Sequence, residues 1–373
     1  MRVLHLLGAT EDIGGILSVI RNLQTATADL GVEHVVWVNQ AYREVRRPAL
    51  TYRFSCHLLG ESANHFQLLW RSVRAIGELK AQLAVEPFDV LQAHSRGALF
   101  LTAGVAVLWH RPILYTNHAY ARRLGPYRWA ARRRHMRTSL LTPNMARHYG
   151  LSPEADRVAI ISECCADGFF SAPLVSRRER KAGAPLRLVG LGNIYHTKKW
   201  HLLVEAIAQL DEAERRQIEF HHWGPVPEAP GCAAYDRQLR GLIQSGGVTG
   251  CCRLHGATLS AEETLREADW FVLPSTNEPC SVALIEALAL GVPALVSASG
   301  GNVDIVQSGR TGRLFAPDDV TSLRDTLRLV LRDEKPMATP AEIRESVRAR
   351  SAKAVADQYC RLYEELSPPT RAV

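Results

Sequence analysis

The most constraining feature of this chain is a strand, a polar loop and a helix that follow one another between residues 270 and 290. Residues 270–273 are a short apolar run typical of a buried strand, and Pro274 ends it. Residues 282–290 are mostly apolar and rich in alanine, and Gly291 and then Pro293 follow them, as such residues follow many helices. Another buried strand is predicted from Val292 onward, so the segment is a βαβ unit.

A βαβ unit places the loop and the helix N-terminus at the carboxyl end of its first strand. In open α/β sheets, ligands bind at that edge. The loop carries Glu278 and the helix carries Glu286. Free N–H groups at a helix N-terminus attract phosphate, and a glutamate one turn further along can accept hydrogen bonds from sugar hydroxyls. The segment therefore predicts a ligand-binding site.

The same residues resemble the donor-site signature of the retaining glycosyltransferases of family 4, which have the GT-B fold. The resemblance implies that Glu278 lies near the donor sugar and that Glu286 holds the ribose of the nucleotide. It also implies that loop amides bind the sugar and the pyrophosphate, here those of Cys280, Ser281 and Val282. A surface glutamate and a helix-capping glutamate are the alternative interpretation of the pair.

A second matching stretch follows a predicted strand at residues 186–191. Gly192 and Lys198 keep the family's spacing of a glycine and a lysine at the start of a helix. A lysine there implies a point charge for the leaving diphosphate. The resemblance further assigns donor-binding positions to Asn193, to the Gly224 turn below the nucleotide and to His255 at a strand end near the base.

Three departures from the family pattern bear on activity and geometry. Asn193 stands where the family has an arginine, which removes a bidentate phosphate clamp. Pro279 stands in a loop that usually reads Gly-aromatic-Gly, and proline has no N–H to donate. The family's Asn-Gly-Val-Asp exit from the first domain is replaced at residues 163–166. These departures keep open a non-catalytic sugar- or nucleotide-binding protein, and the related fold of the sugar-nucleotide epimerases is a third hypothesis.

In the first half of the chain, polar residues follow two predicted strands and a glycine pair follows another. Gly14 and Gly15 lie between the first strand and the first helix, where the family binds acceptor and donor pyrophosphate respectively. A lone glycine pair is more often a plain turn. His94 and His118 end two later strands, and the resemblance assigns His94 to the acceptor side and a catalytic contact with the donor sugar to His118. A loop histidine is otherwise a surface residue.

The positive charge of the chain is local. Residues 90–153 contain ten arginines and no Asp, Glu or Lys, and the density peaks at residues 121–137. We assign Arg122 and Arg123 to the acceptor side. Tyr127 and Trp129 are interleaved with these arginines, which suits an anionic membrane surface or a phosphorylated acceptor. A solvated basic helix is the alternative, and no nucleic-acid-binding motif is present.

Length and composition agree with two α/β domains. The chain has 373 residues, of which 46% are hydrophobic, and no run of eighteen apolar residues. The resemblance implies two Rossmann-like domains facing across a cleft, at 1–180 and 185–345, with a C-terminal helix at 346–373 that crosses back to the first domain. A charged linker is predicted at 176–181.

Eight cysteines show neither zinc-ligand spacing nor a C-x-x-C pair, and no Asp-x-Asp pair lies at a strand end. We therefore expect reduced thiols, a cytoplasmic protein that contacts the inner membrane face peripherally, a nucleotide-sugar co-substrate, a glycan or glycolipid acceptor, and no required metal.

Two helices are predicted from apolar periodicity. Residues 63–85 are predicted to form an amphipathic helix, whose apolar positions are Phe66, Leu69, Trp70, Val73, Ile76, Leu79 and Leu83. Thr339-Pro340-Ala341-Glu342 joins an N-cap, a first-turn proline and a capping-box glutamate, and one helix is expected from there to about Leu366.

Overall fold

The computed structural model describes residues 1–12, 14–44, 49–62, 64–109, 111–175, 184–258, 260–332 and 337–367. The chain forms two compact units. One consists of Met1–Cys164 together with the residues from Ala352 onward, and the other consists of Cys165–Ser351. Both units are α/β with a parallel sheet, as predicted. Among the described helices, none is both long and apolar enough to cross a membrane.

The first unit is built on a seven-stranded parallel sheet in the order β3-β2-β1-β4-β5-β6-β7. Its inner strands are nearly continuous apolar runs, because a parallel sheet covered by helices is buried on both faces. Val3, Leu4 and Leu6 of the first strand are fully buried. The strands are β1 Arg2–Leu6, β2 Glu33–Asn39, β3 Thr51–Ser55, β4 Val90–Ala93, β5 Ile113–Asn117, β6 Met136–Leu140 and β7 Val158–Ile160.

Five helices connect these strands, and side-chain caps start several of them. Ser95 directly follows β4, and its hydroxyl accepts the N–H of Ala98 at 3.2 Å, so the chain turns from strand to helix within two residues. The helices are α1 Gly15–Ala26, α2 His65–Val85, α3 Arg96–Leu108, α4 Gly125–Ala131 and α5 Pro143–Tyr149.

The predicted apolar face of α2 is wrong for the first half of the helix and right at Leu79, which is buried. The helix buries Leu68, Ser72, Ala75 and Leu79, because a narrow stripe that includes a serine fits closely against α3. The Ser72 hydroxyl donates to the carbonyl of Gly97 on α3 at 3.0 Å. Phe66 and Trp70 are instead 86% and 61% exposed. The helix therefore presents part of its apolar surface to solvent.

The second unit has a six-stranded parallel sheet in the order β10-β9-β8-β11-β12-β13. Its strands are β8 Leu186–Leu191, β9 Ile218–Trp223, β10 Cys252–Leu254, β11 Trp270–Leu273, β12 Ala294–Ser297 and β13 Gly312–Phe315. Its helices are α6 Gly168–Ser171, α7 Trp200–Ala208, α8 Glu212–Arg215, α9 Cys232–Ser245, α10 Ala261–Arg266, α11 Val282–Ala289, α12 Asn302–Ile305, α13 Val320–Arg332 and α14 Pro340–Ser346.

The first boundary between the units lies at Cys164, earlier in the chain than the position near residue 180 expected from sequence. Residues 165–175 join the second unit through backbone hydrogen bonds. The N–H of Val175 donates to the carbonyl of Leu290 at 2.9 Å, for example. The linker predicted at 176–181 lies outside the described residues.

The C-terminal part of the chain forms two helices rather than one. Thr339 and Glu342 form the predicted capping box at the start of α14. A 3₁₀ turn at Arg348–Arg350 and the extended residue Ser351 then interrupt the helix. The final helix, α15 Ala352–Leu366, belongs to the first unit and packs against α1. The second boundary lies at this interruption.

Candidate active site

Lys198 and Glu278 form an ion pair in the second unit although they lie 80 residues apart. Lys198 ends a 3₁₀ turn after β8, and Glu278 lies in the loop after β11. Because β8 and β11 are neighbouring parallel strands, their carboxyl ends meet at one edge of the sheet. Lys198 Nζ lies 2.8 Å from Glu278 Oε2, and the two side chains are 22% and 16% exposed.

The backbone around Glu278 is held by the turn that follows β12. The carbonyl of Glu278 accepts the N–H of Gly301 at 2.8 Å, and the Ser299 hydroxyl accepts the N–H of Asn277 at 2.9 Å. Gly300 has φ +60°, and a Cβ on it would lie 2.4 Å from the carbonyl oxygen of Glu278. A residue with a side chain at 300 would therefore push the Glu278 loop away.

Helix α11 follows this loop and carries Glu286. The Ser281 hydroxyl caps the helix by accepting the N–H of Leu284 at 3.3 Å. Glu286 is half-buried, and its carboxylate has neither a hydrogen bond nor an ion pair within the described parts of the chain. Loss of hydration raises the pKa of Glu286 to about 7. A carboxylate in this state gains from a ligand that donates hydrogen bonds to it.

Two glycine turns meet beside the Lys198 loop. The N–H of Gly192 donates to the carbonyl of Trp223 at 2.9 Å, and His222 Nε2 donates to the carbonyl of Gly192 at 2.9 Å. A Cβ on Gly224 would lie 1.9 Å from the carbonyl oxygen of Gly192, so only glycine fits at 224. The carbonyl of Asn193 accepts the indole N–H of Trp200 at 3.0 Å, which fixes this loop against α7.

Cys280 and His255 contact neighbouring side chains of the same unit. The Cys280 thiol is buried, 3.9 Å from a guanidinium nitrogen of Arg350. The exposed ring of His255 stacks on Trp223 with ring centroids 4.1 Å apart. Val282, the first residue of α11, is half-buried.

In the first unit, His94 and His118 lie together at the carboxyl ends of β4 and β5. His94 Nδ1 lies 3.0 Å from His118 Nε2, and His118 Nδ1 lies 2.7 Å from Oε1 of Glu163. Both ring nitrogens of His118 are therefore engaged, and its side chain is 12% exposed. Gly14 and Gly15 start α1 and are exposed.

Two family models match the chain one after the other. The model for glycosyltransferase family 4 matches residues 13–170, and the model for the glycosyl transferases group 1 matches residues 175–350. The chain belongs to the group 1 glycosyltransferases.

Among curated relatives of this glycosyltransferase, D-inositol 3-phosphate glycosyltransferase of Corynebacterium jeikeium is 30% identical over 200 residues, which cover 52% of the chain and 47% of the relative. The chain spans 36% to 51% of the length of the first curated relatives that it matches.

Two solved structures superpose over nearly the whole glycosyltransferase. Sucrose-phosphate synthase from Thermosynechococcus elongatus gives a TM-score of 0.79 at 20% identity and covers 98% of this chain and 99% of that chain. The Anabaena protein HepE in complex with UDP gives 0.74 at 16% identity, with 98% and 100% covered. At these identities the likeness shows the fold, which is GT-B.

The basic segment of the glycosyltransferase differs from its predicted form. Tyr127 is buried and packs against Tyr115 and Tyr149, so it is not available to a membrane surface. Arg128 Nε donates to the carbonyl of Tyr149 at 2.7 Å. Part of this segment therefore serves the core of the unit. Further along, Arg132 pairs with Asp156 at 3.0 Å, Arg133 lies over the half-buried ring of Trp129, and Arg122, Arg123 and Arg134 are exposed.

Sequence reasoning missed three functional candidates that contact the predicted histidines directly or through one ring, namely His5, His34 and Glu163. A signal was present for the first two, because each is a histidine inside or beside an apolar run of a buried strand.

Across the described residues, no group of three or more His, Cys, Asp or Glu side chains is arranged to hold a metal ion.

Proposed function

We propose that this glycosyltransferase moves a sugar from a nucleoside-diphosphate sugar to a glycan, a lipid-linked saccharide or a lipopolysaccharide-type acceptor. We further propose that the anomeric configuration is retained and that no metal ion is required. The observation that carries the proposal is the 2.8 Å ion pair between Lys198 and Glu278, beside a helix whose Glu286 has no partner in the described residues.

Donor binding would use groups that still have hydrogen-bonding capacity. The Glu286 carboxylate suits the two hydroxyls of a ribose, since each hydroxyl can donate to it. The first N–H groups of α11 have no intrahelical partner, and Ser281 caps only that of Leu284. They suit a diphosphate oxygen. The Anabaena structure that shares the fold is a complex with UDP, which supports a nucleoside diphosphate as the ligand.

The chemistry would depend on charge at two atoms. As the bond between the anomeric carbon and the diphosphate breaks, negative charge grows on the leaving oxygen and positive charge grows on the carbon. The Lys198 ammonium would stabilise the first and the Glu278 carboxylate the second. The acceptor hydroxyl attacks from the face that the diphosphate leaves, and its proton passes to the leaving phosphate oxygen. Configuration is then retained.

The acceptor is proposed to be membrane-borne or phosphorylated, at the cytoplasmic face of the membrane. The exposed guanidinium groups of Arg122, Arg123 and Arg134 support an anionic partner. One relative is named D-inositol 3-phosphate glycosyltransferase, and its name contains a phosphorylated molecule. Exposed Phe66 and Trp70 on α2 support contact with the acyl boundary of a bilayer.

A screen of nucleoside-diphosphate sugars tests this function. Donors that raise the melting temperature are incubated with purified protein, and release of the nucleoside diphosphate is followed with and without candidate acceptors. Proton NMR of the product reports whether configuration is retained. Turnover and donor affinity that survive a chelator support metal independence, and their loss on chelation contradicts it. Binding without any turnover would favour the non-catalytic hypothesis.

A further inference from the structure

Four histidine rings, three of them buried, form a continuous hydrogen-bonded row across the first sheet, which we call the histidine chain. His34 Nδ1 lies 2.8 Å from His5 Nε2, and His5 Nδ1 lies 2.9 Å from His94 Nε2. The row continues from His94 to His118 at 3.0 Å and ends on Glu163 at 2.7 Å. Every contact is within hydrogen-bonding distance.

The sheet explains why the rings line up. His34 lies on β2, His5 lies on β1, and the other two rings follow β4 and β5, which are successive neighbours in the sheet. Neighbouring strands lie about 4.8 Å apart, so one imidazole per strand spans the gap. The ring centroids are spaced by 5.1, 5.1 and 5.2 Å. His5, His34 and His94 are all buried, so water does not replace these contacts.

The other end of the histidine chain is closed by Thr27. Its hydroxyl donates its only proton to the carbonyl of Leu23 at 2.8 Å. The same oxygen lies 3.0 Å from His34 Nε2, so there it acts as the acceptor and His34 is the donor. Thr27 at one end and the Glu163 carboxylate at the other thus both accept.

The contacts of the histidine chain need more ring protons than four neutral histidines carry. The row from Thr27 to Glu163 has five contacts, and each needs one ring N–H. A neutral imidazole carries one N–H, so four neutral rings supply one too few. We propose that the histidine chain holds one proton beyond its four neutral rings, balanced by the Glu163 carboxylate, and that this proton fixes the charge and orientation of His118.

The extra proton is assigned to His118 on two grounds. His118 is the ring in contact with a carboxylate. Burial lowers the pKa of His5 and His94 and lowers that of His34 to about 4, so those three rings are neutral near pH 7. His118 Nε2–H then donates to His94, and each further ring donates through Nε2 toward Thr27.

The titratable groups around the Glu163 end of the histidine chain come from three parts of the first unit. They are His94, Glu163 with its neighbour Cys164, and Tyr359 of α15, whose phenol interacts with both Glu163 and Cys164. Burial raises the pKa of Tyr359, so the phenol stays neutral. Glu163 is then the anion that balances the proton on His118. His5, His34, His94 and Glu163 act on His118 as positioning residues. Their effect on sugar transfer rests on the proposed function and on the donor-sugar contact that the family resemblance assigns to His118.

Side-chain ¹⁵N NMR of the histidine-labelled full chain tests the inference without any activity assay. At pH 7.5 we expect one ring of the chain with both nitrogens protonated and three rings protonated only at Nε2. Glu163→Gln should remove the doubly protonated ring. Glu78→Gln is the matched control, because Glu78 pairs with His57 at 2.6 Å and neither residue belongs to the histidine chain. Four neutral rings in the wild type at pH 7.5 would overturn the inference.

Thr27→Val provides a second test that keeps Glu163. It removes one acceptor, so four contacts remain and four neutral rings satisfy them. We expect His118 to lose the extra proton and His5, His34 and His94 to change from the Nε2–H to the Nδ1–H tautomer. Unchanged tautomers in a folded Thr27→Val protein contradict the proton count. In active protein, both variants should also change the pH profile of kcat, whereas a merely structural loss would lower activity equally at every pH.

Discussion

The polar side chains at the strand ends of the two units differ in whether their hydrogen-bonding atoms already have partners within the unit. In the second unit, Glu286 has no partner among the described residues, and Lys198 and Glu278 share one partly exposed ion pair. In the first unit, the ring nitrogens of His94 and His118 are all engaged within the unit. Both units are built on a parallel sheet. The edge of the second sheet retains a carboxylate that can still accept hydrogen bonds, whereas the two histidines at the edge of the first sheet have all their ring nitrogens in hydrogen bonds.

This difference indicates how each edge would work. A buried polar group without a partner costs free energy, so natural proteins keep one mainly where a ligand completes it. A network with every partner in place instead holds its members rigidly. We therefore expect substitutions in the second unit to act on ligand binding and turnover, and substitutions in the histidine chain to act on protonation and stability.

The largest expected effect is that of Lys198→Ala on turnover. Removing one electrostatic contact to the leaving group lowers kcat by roughly two to three powers of ten. Lys199→Ala is the matched control, because Lys199 Nζ pairs with Asp318 at 3.1 Å rather than with Glu278. Steady-state release of the nucleoside diphosphate measures both. Wild-type turnover in the Lys198 variant would remove Lys198 from the mechanism.

Glu286→Gln should chiefly weaken nucleotide binding. A hydrogen bond to a charged group contributes about 1.5–3 kcal/mol, so the dissociation constant should rise by roughly ten- to a hundredfold. Because the pKa of Glu286 is raised to about 7, its carboxylate forms as the pH rises from 6 to 8, and wild-type affinity should rise over that interval. Calorimetry measures the affinity of wild type and Glu286→Gln for the same nucleotide at each pH. The ionisation of the nucleotide itself affects both proteins equally and drops out of the comparison. Parallel pH profiles would contradict the assignment.

Much of the donor side could be predicted from sequence. The family resemblance assigned Lys198 and Glu278 to one donor site, and the two side chains meet because β8 and β11 are neighbouring parallel strands, whose carboxyl ends lie at one edge of the sheet. The histidine chain could not be predicted, because it depends on which strands are neighbours and on their register. The buried stripe of α2 was also missed in part, since Leu79 was predicted but Ser72 and Ala75 were not. Periodicity shows that a helix has an apolar side but not that a stripe containing Ser72 fits α3 more closely.

Acid should loosen the strands that carry the histidine chain more than β12 and β13 of the second unit, which contain no histidine. The second unit has its own histidines with a lowered pKa, among them His222 on β9, so the comparison is between these strands rather than between whole units. Burial lowers the pKa of His5, His34 and His94, so the unfolded chain binds protons there that the folded chain does not. Stability therefore falls as the pH drops below about 6.5, by up to about tenfold in the unfolding equilibrium per pH unit for each ring. Hydrogen-exchange protection factors at pH 7 and pH 5 measure this, with β12 and β13 as the reference. Equal losses in β1, β2 and β4 and in β12 and β13 would contradict the expectation.

The smallest effect is expected for single arginines of the basic segment on membrane binding. An exposed arginine near an anionic surface contributes about 1 kcal/mol, so Arg134→Ser should weaken vesicle binding about fivefold. Arg132→Ser should weaken it less, because Arg132 already pairs with Asp156 at 3.0 Å. Co-sedimentation with vesicles of increasing anionic lipid content measures both, and added salt should weaken binding since the charges are exposed.

Two outcomes would leave only a solvated basic segment. One is binding that does not depend on the anionic lipid content, and the other is binding that survives changing Arg132, Arg133 and Arg134 all to serine. Loss of binding on Trp70→Ser alone would instead move the contact to α2.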